Sequence, residues 1–433
     1  MSSINIPLYQ ALYEDIKDKI IHNELKKNNK LESIRSLSKR MDISTTTVEK
    51  AYNQLVVEGY IKSVPRSGFI VMDVHNLDKG KFHPYVDPIE HPVKENNKLT
   101  TDLFDIKSYK ATVNKVFNYQ SDLLFTNLDP RGEEPLREEI RKYILKERDV
   151  KCDVNQIIIG PGIQSLLQIL LSITHKKTVT YLAPEFKKAM NIFRSFGYTL
   201  KPRQSTTEIA RLKADFLYIS PSNIYPTGEV LKAQERNKII TWAHRNDSYI
   251  IEDDYNFFIR YNSYSVPSIH SYDNGERVIY IGSFSKSIIP SIRVSYMVLP
   301  ISLYNIYKER YNDFSQGVSK LEQLSLAQFM KEGLFQRHTK KLYNLYKEKN
   351  EIMKQALNKH NRHKSFGIRG TDSNLHVVLD FTTKKHMNTF IKNCDRHHLQ
   401  YEIIQHSNSV IFPYSGISNH DIPRLVKTLF YNM

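Results

Sequence analysis

Leucine and isoleucine fall at every fourth position of PLYQALYEDIKDKIIHNEL, at Leu8, Leu12, Ile16 and Ile20, which sets one apolar stripe along a helix. The next segment, ESIRSLSKRMDISTTTVEKAYNQLVVEGYI, predicts two helices around a break at Met41 to Ser44. Ser44 is placed to cap the second of them, whose inner face carries Val48, Ala51, Tyr52 and Leu55. YIKSVPRSGFIVM then predicts a short hairpin turning at Pro65 to Gly68, so that three helices and a hairpin form a winged helix-turn-helix over residues 1–75. Residues 76–100 hold three prolines, many charges and no period, and predict an extended, solvated linker. From residue 101 to residue 433 the pattern changes. Helices at LREEIRKYILKER, IQSLLQILLSI, FKKAMNIFRSFG and AQERNKIITWAHRN alternate with the apolar runs QIIIG, TVTYL, FLYIS, YIIEDD, RVIYIG and VSYMVL. Continuous apolar strands between amphipathic helices predict an α/β domain, a mostly parallel sheet sandwiched by helices.

Composition changes this picture little. At 433 residues the chain is long enough for two or three domains. The two cysteines, Cys152 and Cys394, have no CxxC spacing, and the sixteen histidines are not set at ligand spacing, so neither a disulfide framework nor a metal site is expected. The N-terminus has no charged leader followed by an apolar core, and no apolar run reaches the roughly 18 residues of a membrane span, so a cytoplasmic protein is expected. Net charge is +16, yet residues 1–75 hold 11 Lys or Arg against 9 Asp or Glu. The element pattern, and not the charge, therefore points to the N-terminal segment as a reader of double-stranded DNA, with the second helix of the pair in the major groove.

The signals PLYQ, L-x-S-x-R, IS-TTTV and EGYI followed six residues later by GF-x-V lie in one order across residues 7–72, and this segment resembles the GntR-type winged helix. The resemblance implies that Arg35, Ser44, Thr46 and Thr47 contact phosphates and that Arg66 and Gly68 form the wing. Thr45 and Glu49 stand where many relatives turn arginines to the bases, and Lys50 follows on the same helix. Arginine is the usual bidentate partner of guanine and glutamate would accept from cytosine, so recognition is expected to be less guanine-centred.

In a sheet of this kind ligands sit at the carboxyl ends of the strands. There, QIIIG runs into PGIQ, a glycine turn opening a helix, where free N–H groups favour a phosphate. YIIEDDY ends in Asp253, Asp254 and Tyr255; RVIYIG ends in SFSK, with Ser283 and Ser285 beside Lys286 and Arg293 seven residues on; FLYIS runs into SPSNIYPTG. Pyridoxal phosphate needs such a set: a phosphate to anchor, a ring nitrogen to keep protonated by a carboxylate, and an aldehyde to bind an amine. SFSK-x6-R, EDDY, P-x6-TG, DPRG-x-x-PLR and G-x-Q in this order resemble the fold-type I aminotransferases over roughly residues 101–433, which implies a large domain with a small C-terminal α+β subdomain. By that resemblance Lys286 anchors the cofactor, Asp253 pairs with its ring nitrogen and Tyr255 bonds its phenolic oxygen. Ser283, Arg293, Gly162, Ile163 through its N–H, and Gln164 hold the phosphate, and Phe186 stacks on the ring. Lys188 is a further candidate, for a ligand carboxylate.

A GntR-type reader joined to such a domain is similar to the MocR/GabR subfamily of transcription regulators. The resemblance implies a homodimer, domain-swapped, that binds repeated or palindromic half-sites and senses the cofactor or an amine. Three departures bear on activity. Ile411, in NSVIFPYSG, stands where aminotransferases place the arginine that grips a substrate α-carboxylate; Tyr225 replaces the Asn before Pro-Thr-Gly, for which Asn223 is a candidate substitute; Asn127 replaces the Tyr before D-P-x-G. The expectation is therefore a sensor with a kept cofactor site and an eroded substrate site. A working aminotransferase with a DNA-binding appendage, and a regulator whose large domain is only a dimerisation scaffold, are the alternatives.

Overall fold

The computed structural model describes residues 7–73, 104–183, 187–261, 266–289, 291–361, 364–404 and 407–430. The expected linker at 76–100 and Phe186 lie outside the described residues. The chain separates into two compact units, Met1–His91 and Pro92–Met433.

In the first unit α1 (Leu8–Ile21), α2 (Ile34–Met41) and α3 (Thr45–Val57) precede strands β1 (Ile61–Val64) and β2 (Gly68–Val71), which pair antiparallel. Leu12, Ile16 and Ile20 of α1 pack on Leu37 of α2 and on Val48, Ala51, Tyr52 and Leu55 of α3, as the fourfold spacing predicts. Ser33 and Ser44 cap α2 and α3 by accepting from the N–H groups of Ser36 and Thr47. Asp42, at φ 51°, ends α2 in the left-handed region and turns the chain toward α3.

The second unit opens with α4 (Ile106–Tyr119) and α5 (Glu134–Arg148). Strands and helices then alternate: β3 (Ile157–Gly160), α6 (Ile163–Ser172), β4 (Thr178–Leu182), α7 (Lys187–Ser195), β5 (Thr199–Arg203), α8 (Thr206–Ile209), β6 (Phe216–Ile219), α9 (Ala233–Arg245), β7 (Tyr249–Asp253), α10 (Ile269–Asp273), β8 (Val278–Ser283) and β9 (Ser295–Val298). The seven strands stand in the order β3-β9-β8-β7-β6-β4-β5, with β9 antiparallel to both its neighbours and every other pairing parallel. The carboxyl ends of β3 to β8 therefore share one edge. Alternation along β3 sends Ile158 to a face covered by Leu166, Leu167 and Leu170 of α6, while Ile157 and Ile159 meet Leu136, Ile140 and Ile144 of α5 on the other.

After α11 (Ile301–Glu309) and α12 (Lys320–Lys331), the long α13 (Leu334–His360) leads to a second sheet, covered by α14 (Lys384–Arg396) and α15 (Ile422–Leu429). Its strands β10 (Phe366–Arg369), β11 (His376–Phe381), β12 (Glu402–Ile403) and β13 (Ser409–Pro413) run antiparallel in the order β10-β11-β13-β12. Val377, Leu379, Val410 and Phe412 face the core under α14 and α15, which leaves His376, Val378 and Ile411 on the opposite face. Two differences from the sequence pattern have physical reasons. The polar, proline-containing TLKPR gives no strand signal, yet as β5 it is an edge strand, where a missing N–H is tolerated. Gly68 belongs to β2 and not to the turn, which spans Pro65 to Ser67 with Arg66 at φ 63°.

Candidate functional site

Lys286 follows the carboxyl end of β8, half-buried, and has no hydrogen-bond or ion-pair partner among the described residues; burial alone lowers its ammonium below the usual lysine range. A lysine placed so gains nothing for the fold and becomes a neutral, nucleophilic amine at lower pH than a surface lysine. Beside it the serine hydroxyls form a short chain. Ser295 donates to Ser283 at 2.9 Å, Ser283 donates to Ser285 at 3.2 Å, and the Ser285 N–H returns to Ser283 Oγ at 3.2 Å.

The three successive acids at the end of β7 have three different surroundings. Glu252, fully buried, accepts from the N–H groups of Ile269 and His270 at 2.8 and 2.9 Å and so caps α10. Asp254 binds Arg148 Nε at 2.6 Å and the Tyr280 hydroxyl at 2.8 Å, a pair with side chains 0% and 1% exposed. Asp253 has no cation among the described residues. Tyr218, on the neighbouring strand β6, donates its hydroxyl to Asp253, but burial pushes that carboxyl up to about 7, with Asp254 adding to the rise. A carboxyl raised in the fold stabilises it fully below about pH 4 and loses that contribution as pH climbs through about 7. Asp253→Asn is expected to lose less stability than the parent between about pH 5 and 8, by on the order of 3 kcal/mol. Urea midpoints of both proteins without added ligand check this, and equal slopes would refute it.

At the end of β3, Gly162 (φ 123°) starts α6, whose first turn no side chain caps. A Cβ at Gly162 would stand 2.7 Å from Arg293 Nη2, so the bare backbone is what lets the guanidinium lie against the start of α6. Arg293 makes no ion pair among the described residues. Asn223, in the loop after β6, is 3% exposed with both amide atoms unpartnered, and an orphaned buried amide costs free energy unless a ligand supplies its partners. Tyr255 is half-buried, and burial followed by the Asp253 charge raises its phenol above the usual range. The side-chain set thus fits pyridoxal phosphate: an uncompensated amine, an uncompensated acid, an unpartnered amide, and a guanidinium over an uncapped helix start. Sequence reasoning missed Tyr218 and Ser295, which signal only as polar residues inside apolar strands.

The comparisons agree with both halves of the chain. Residues 8–71 match the model of bacterial regulatory proteins of the gntR family, and residues 95–418 match aminotransferase class I and II. The uncharacterized HTH-type transcriptional regulator YdeL of Bacillus subtilis is 33% identical over 99% of this chain and 97% of its own. The probable rhizopine catabolism regulatory protein MocR of Rhizobium meliloti is 25% identical over 87% of this chain and 82% of its own. The chain is a MocR/GabR-type transcriptional regulator. The pyridoxine biosynthesis regulator PdxR of Corynebacterium glutamicum, 26% identical over 85% of this chain and 82% of its own, is another relative of this regulator. Among solved structures, the α-aminoadipate aminotransferase LysN of Thermus thermophilus, crystallised with N-(5'-phosphopyridoxyl)-L-leucine, superposes with a TM-score of 0.67 at 18% identity. It covers 77% of this chain and 90% of its own, and shows a shared fold.

In the DNA-binding unit of the regulator, Arg35, Thr45, Thr46, Glu49 and Arg66 are exposed, and none makes an ion pair among the described residues. Ser44 and Thr47 have a structural task. The Ser44 hydroxyl caps α3 at 3.1 Å from the Thr47 N–H and stands 2.8 Å from the Thr47 hydroxyl. Lys50 lies over the Tyr9 ring at 6.0 Å, and Gly68, at φ 95°, opens the second wing strand. No helix among the described residues is long and apolar enough to cross a membrane.

Proposed function

We propose that this regulator holds pyridoxal phosphate at the strand edge of its aminotransferase-like unit and couples ligand binding there to its grip on operator DNA. Lys286 carries the reading: a half-buried lysine at the end of β8 and a buried acid at the end of the neighbouring β7, neither with an ionic partner among the described residues. Pyridoxal phosphate, when bound, supplies an aldehyde that condenses reversibly with amines. Lys286 would be its covalent anchor, Asp253 the counter-charge of its ring nitrogen, Tyr255 and Asn223 the partners of its phenolic oxygen. Arg293, Ser283, Ser285 and the first turn of α6 at Gly162, Ile163 and Gln164 would bind its phosphate. A buried carboxylate that resists ionisation alone becomes favourable against a pyridinium, so cofactor and Asp253 support each other's charge. Borohydride reduction of the loaded protein, followed by peptide mapping, tests the reading: label on Lys286 is expected, and label on another lysine overturns the assignment.

On the DNA side, Arg35, Ser44, Thr46 and Thr47 serve as phosphate contacts, Thr45, Glu49 and Lys50 meet the groove, and Arg66 with Gly68 forms the wing. Arg35→Ala is expected to weaken binding to all sequences alike and to lower the magnitude of the salt slope by about 1. Fluorescence anisotropy on operator and scrambled duplexes checks this; a loss confined to one sequence would make Arg35 a base reader. A homodimer, domain-swapped and acting in the cytoplasm, presents the two readers to paired half-sites. Ligand binding shifts them only so far as it prefers one conformation of the dimer.

A further inference from the structure

On the face of the C-terminal sheet turned away from its own core, the register places Glu402 of β12 directly opposite Ile411 of β13, with Val378 of β11 on the other side. Paired residues of an antiparallel ladder project to the same side, so Glu402 stands beside the position where an aminotransferase would carry its carboxylate-gripping arginine. The wall is apolar at Val378 and Ile411 and acidic at Glu402. Its connection to the lysine site runs through two rings. Tyr225 donates its hydroxyl to Glu402 at 2.6 Å, and the His376 ring lies 6.0 Å from that of Tyr225. His376 donates from Nε2 to the Pro226 carbonyl at 2.8 Å. Burial lowers this imidazole below the usual histidine range against the Pro226 hydrogen bond, the nearby Lys286 ammonium acts in the same direction as burial, and Glu402 acts against it, so His376 feels both groups.

Glu402 is ionised: against partial burial, the hydrogen bonds from Tyr225 and Lys187 hold it below the usual carboxylate range. Its second oxygen accepts from Lys187 at 2.9 Å, and that side chain is 74% exposed. A primary ammonium on a solvated tether thus already occupies the carboxylate. Ion pairs of such exposure contribute little, so another ammonium could replace Lys187 at small cost.

We propose that Glu402, presented by Tyr225, recognises a second positive charge at the far end of the ligand, so that this regulator responds to diamines and not to amino acids. A ligand carboxylate arriving at this wall would meet an acid and two aliphatic side chains in place of a guanidinium, with the Lys187 ammonium and the Tyr225 hydroxyl already engaged by that acid. A ligand ammonium would take over the position of Lys187. In doing so it would release the bridge that ties α7 to β12, which supplies a difference between bound and free states for the DNA readers to register. The proposal rests on the cofactor reading given above.

The test titrates full-length protein, loaded with pyridoxal phosphate, with 1,4-diaminobutane, butylamine and 4-aminobutanoate, three amines differing only in the far group. The visible absorption of the unliganded protein is recorded first; its absence refutes cofactor binding itself and not the role of Glu402. With the band present, the shift of that band is expected at about tenfold lower concentration for the diamine than for butylamine, with the amino acid weakest. Glu402→Gln should bring diamine and monoamine together. Lys187→Ala should tighten the diamine, because the internal competitor is gone, and a merely structural bridge would not produce that gain. Equal affinities in the parent protein, a preference for 4-aminobutanoate, or weaker diamine binding in Lys187→Ala would each overturn the proposal.

Discussion

Lys286→Ala is expected to lose the cofactor and keep the fold. The two halves of this result come from one fact, that the ammonium has no hydrogen-bond or ion-pair partner among the described residues. No hydrogen bond or ion pair breaks when it is removed, and burial had been lowering its basicity. Its removal therefore takes a desolvation cost away from the native state. Urea unfolding of the variant without cofactor should match or exceed the parent, within about 0.5 kcal/mol. Cofactor retention should behave in the opposite way. With the proposed covalent link gone, the proposed phosphate contacts at Arg293 and α6 would remain, so binding would become reversible and weaker by roughly a hundredfold, ~2.7 kcal/mol. Dialysis followed by absorbance separates the two proteins. A variant that retained the cofactor through dialysis as the parent does, or that lost several kcal/mol of stability, would assign Lys286 to structure.

The position of this lysine was legible because its surroundings are local. A glycine turn, a run of acids and a serine-rich turn each follow an apolar strand directly, and in a mostly parallel sheet all strand ends come to one edge. Which of the acids stays uncompensated was not legible from spacing. Asp253 and Asp254 are adjacent, and the resemblance alone chose between them; physically the choice is made by Arg148, 106 residues away, which neutralises Asp254. Tyr218 reaches Asp253 from another strand, 35 residues apart. Glu402 carries no motif at all. Its place opposite Ile411 follows only from the register of two short strands, and register is fixed by the whole face a strand buries. The fold shows the same division. Strong apolar periods gave α6, α9, β4 and β8 within a residue or two, while β5, polar and proline-bearing, is a strand only because β4 pairs with it.

Arg148 is the residue whose loss should damage the second unit most. Its side chain is 1% exposed and satisfies several neighbours at once. Nε donates to Asp254 at 2.6 Å, one terminal nitrogen to Ser222 Oγ at 2.6 Å, the other to the Val266 carbonyl, and the guanidinium lies 5.2 Å from the centre of the Phe257 ring. Alanine there leaves a carboxylate fully buried with, among the described residues, only the Tyr280 hydroxyl to bind it, beside a cavity the size of the lost side chain. Breaking one side of a buried pair typically costs ~3–5 kcal/mol, far more than the pair contributes over an apolar replacement of like volume. Arg148→Ala is therefore expected to lower unfolding stability by ~4 kcal/mol, and Arg148→Met combined with Asp254→Asn to recover most of it, because no unpaired charge is then left. The loss should also reach the proposed cofactor site, since Ser222 precedes Asn223 and Asp254 follows Asp253, so both residues proposed to meet the ring lose their support. A loss under about 1 kcal/mol for Arg148→Ala in urea unfolding, or a double variant no better than the single one, would mean that the Arg148–Asp254 pair does not hold the end of β7.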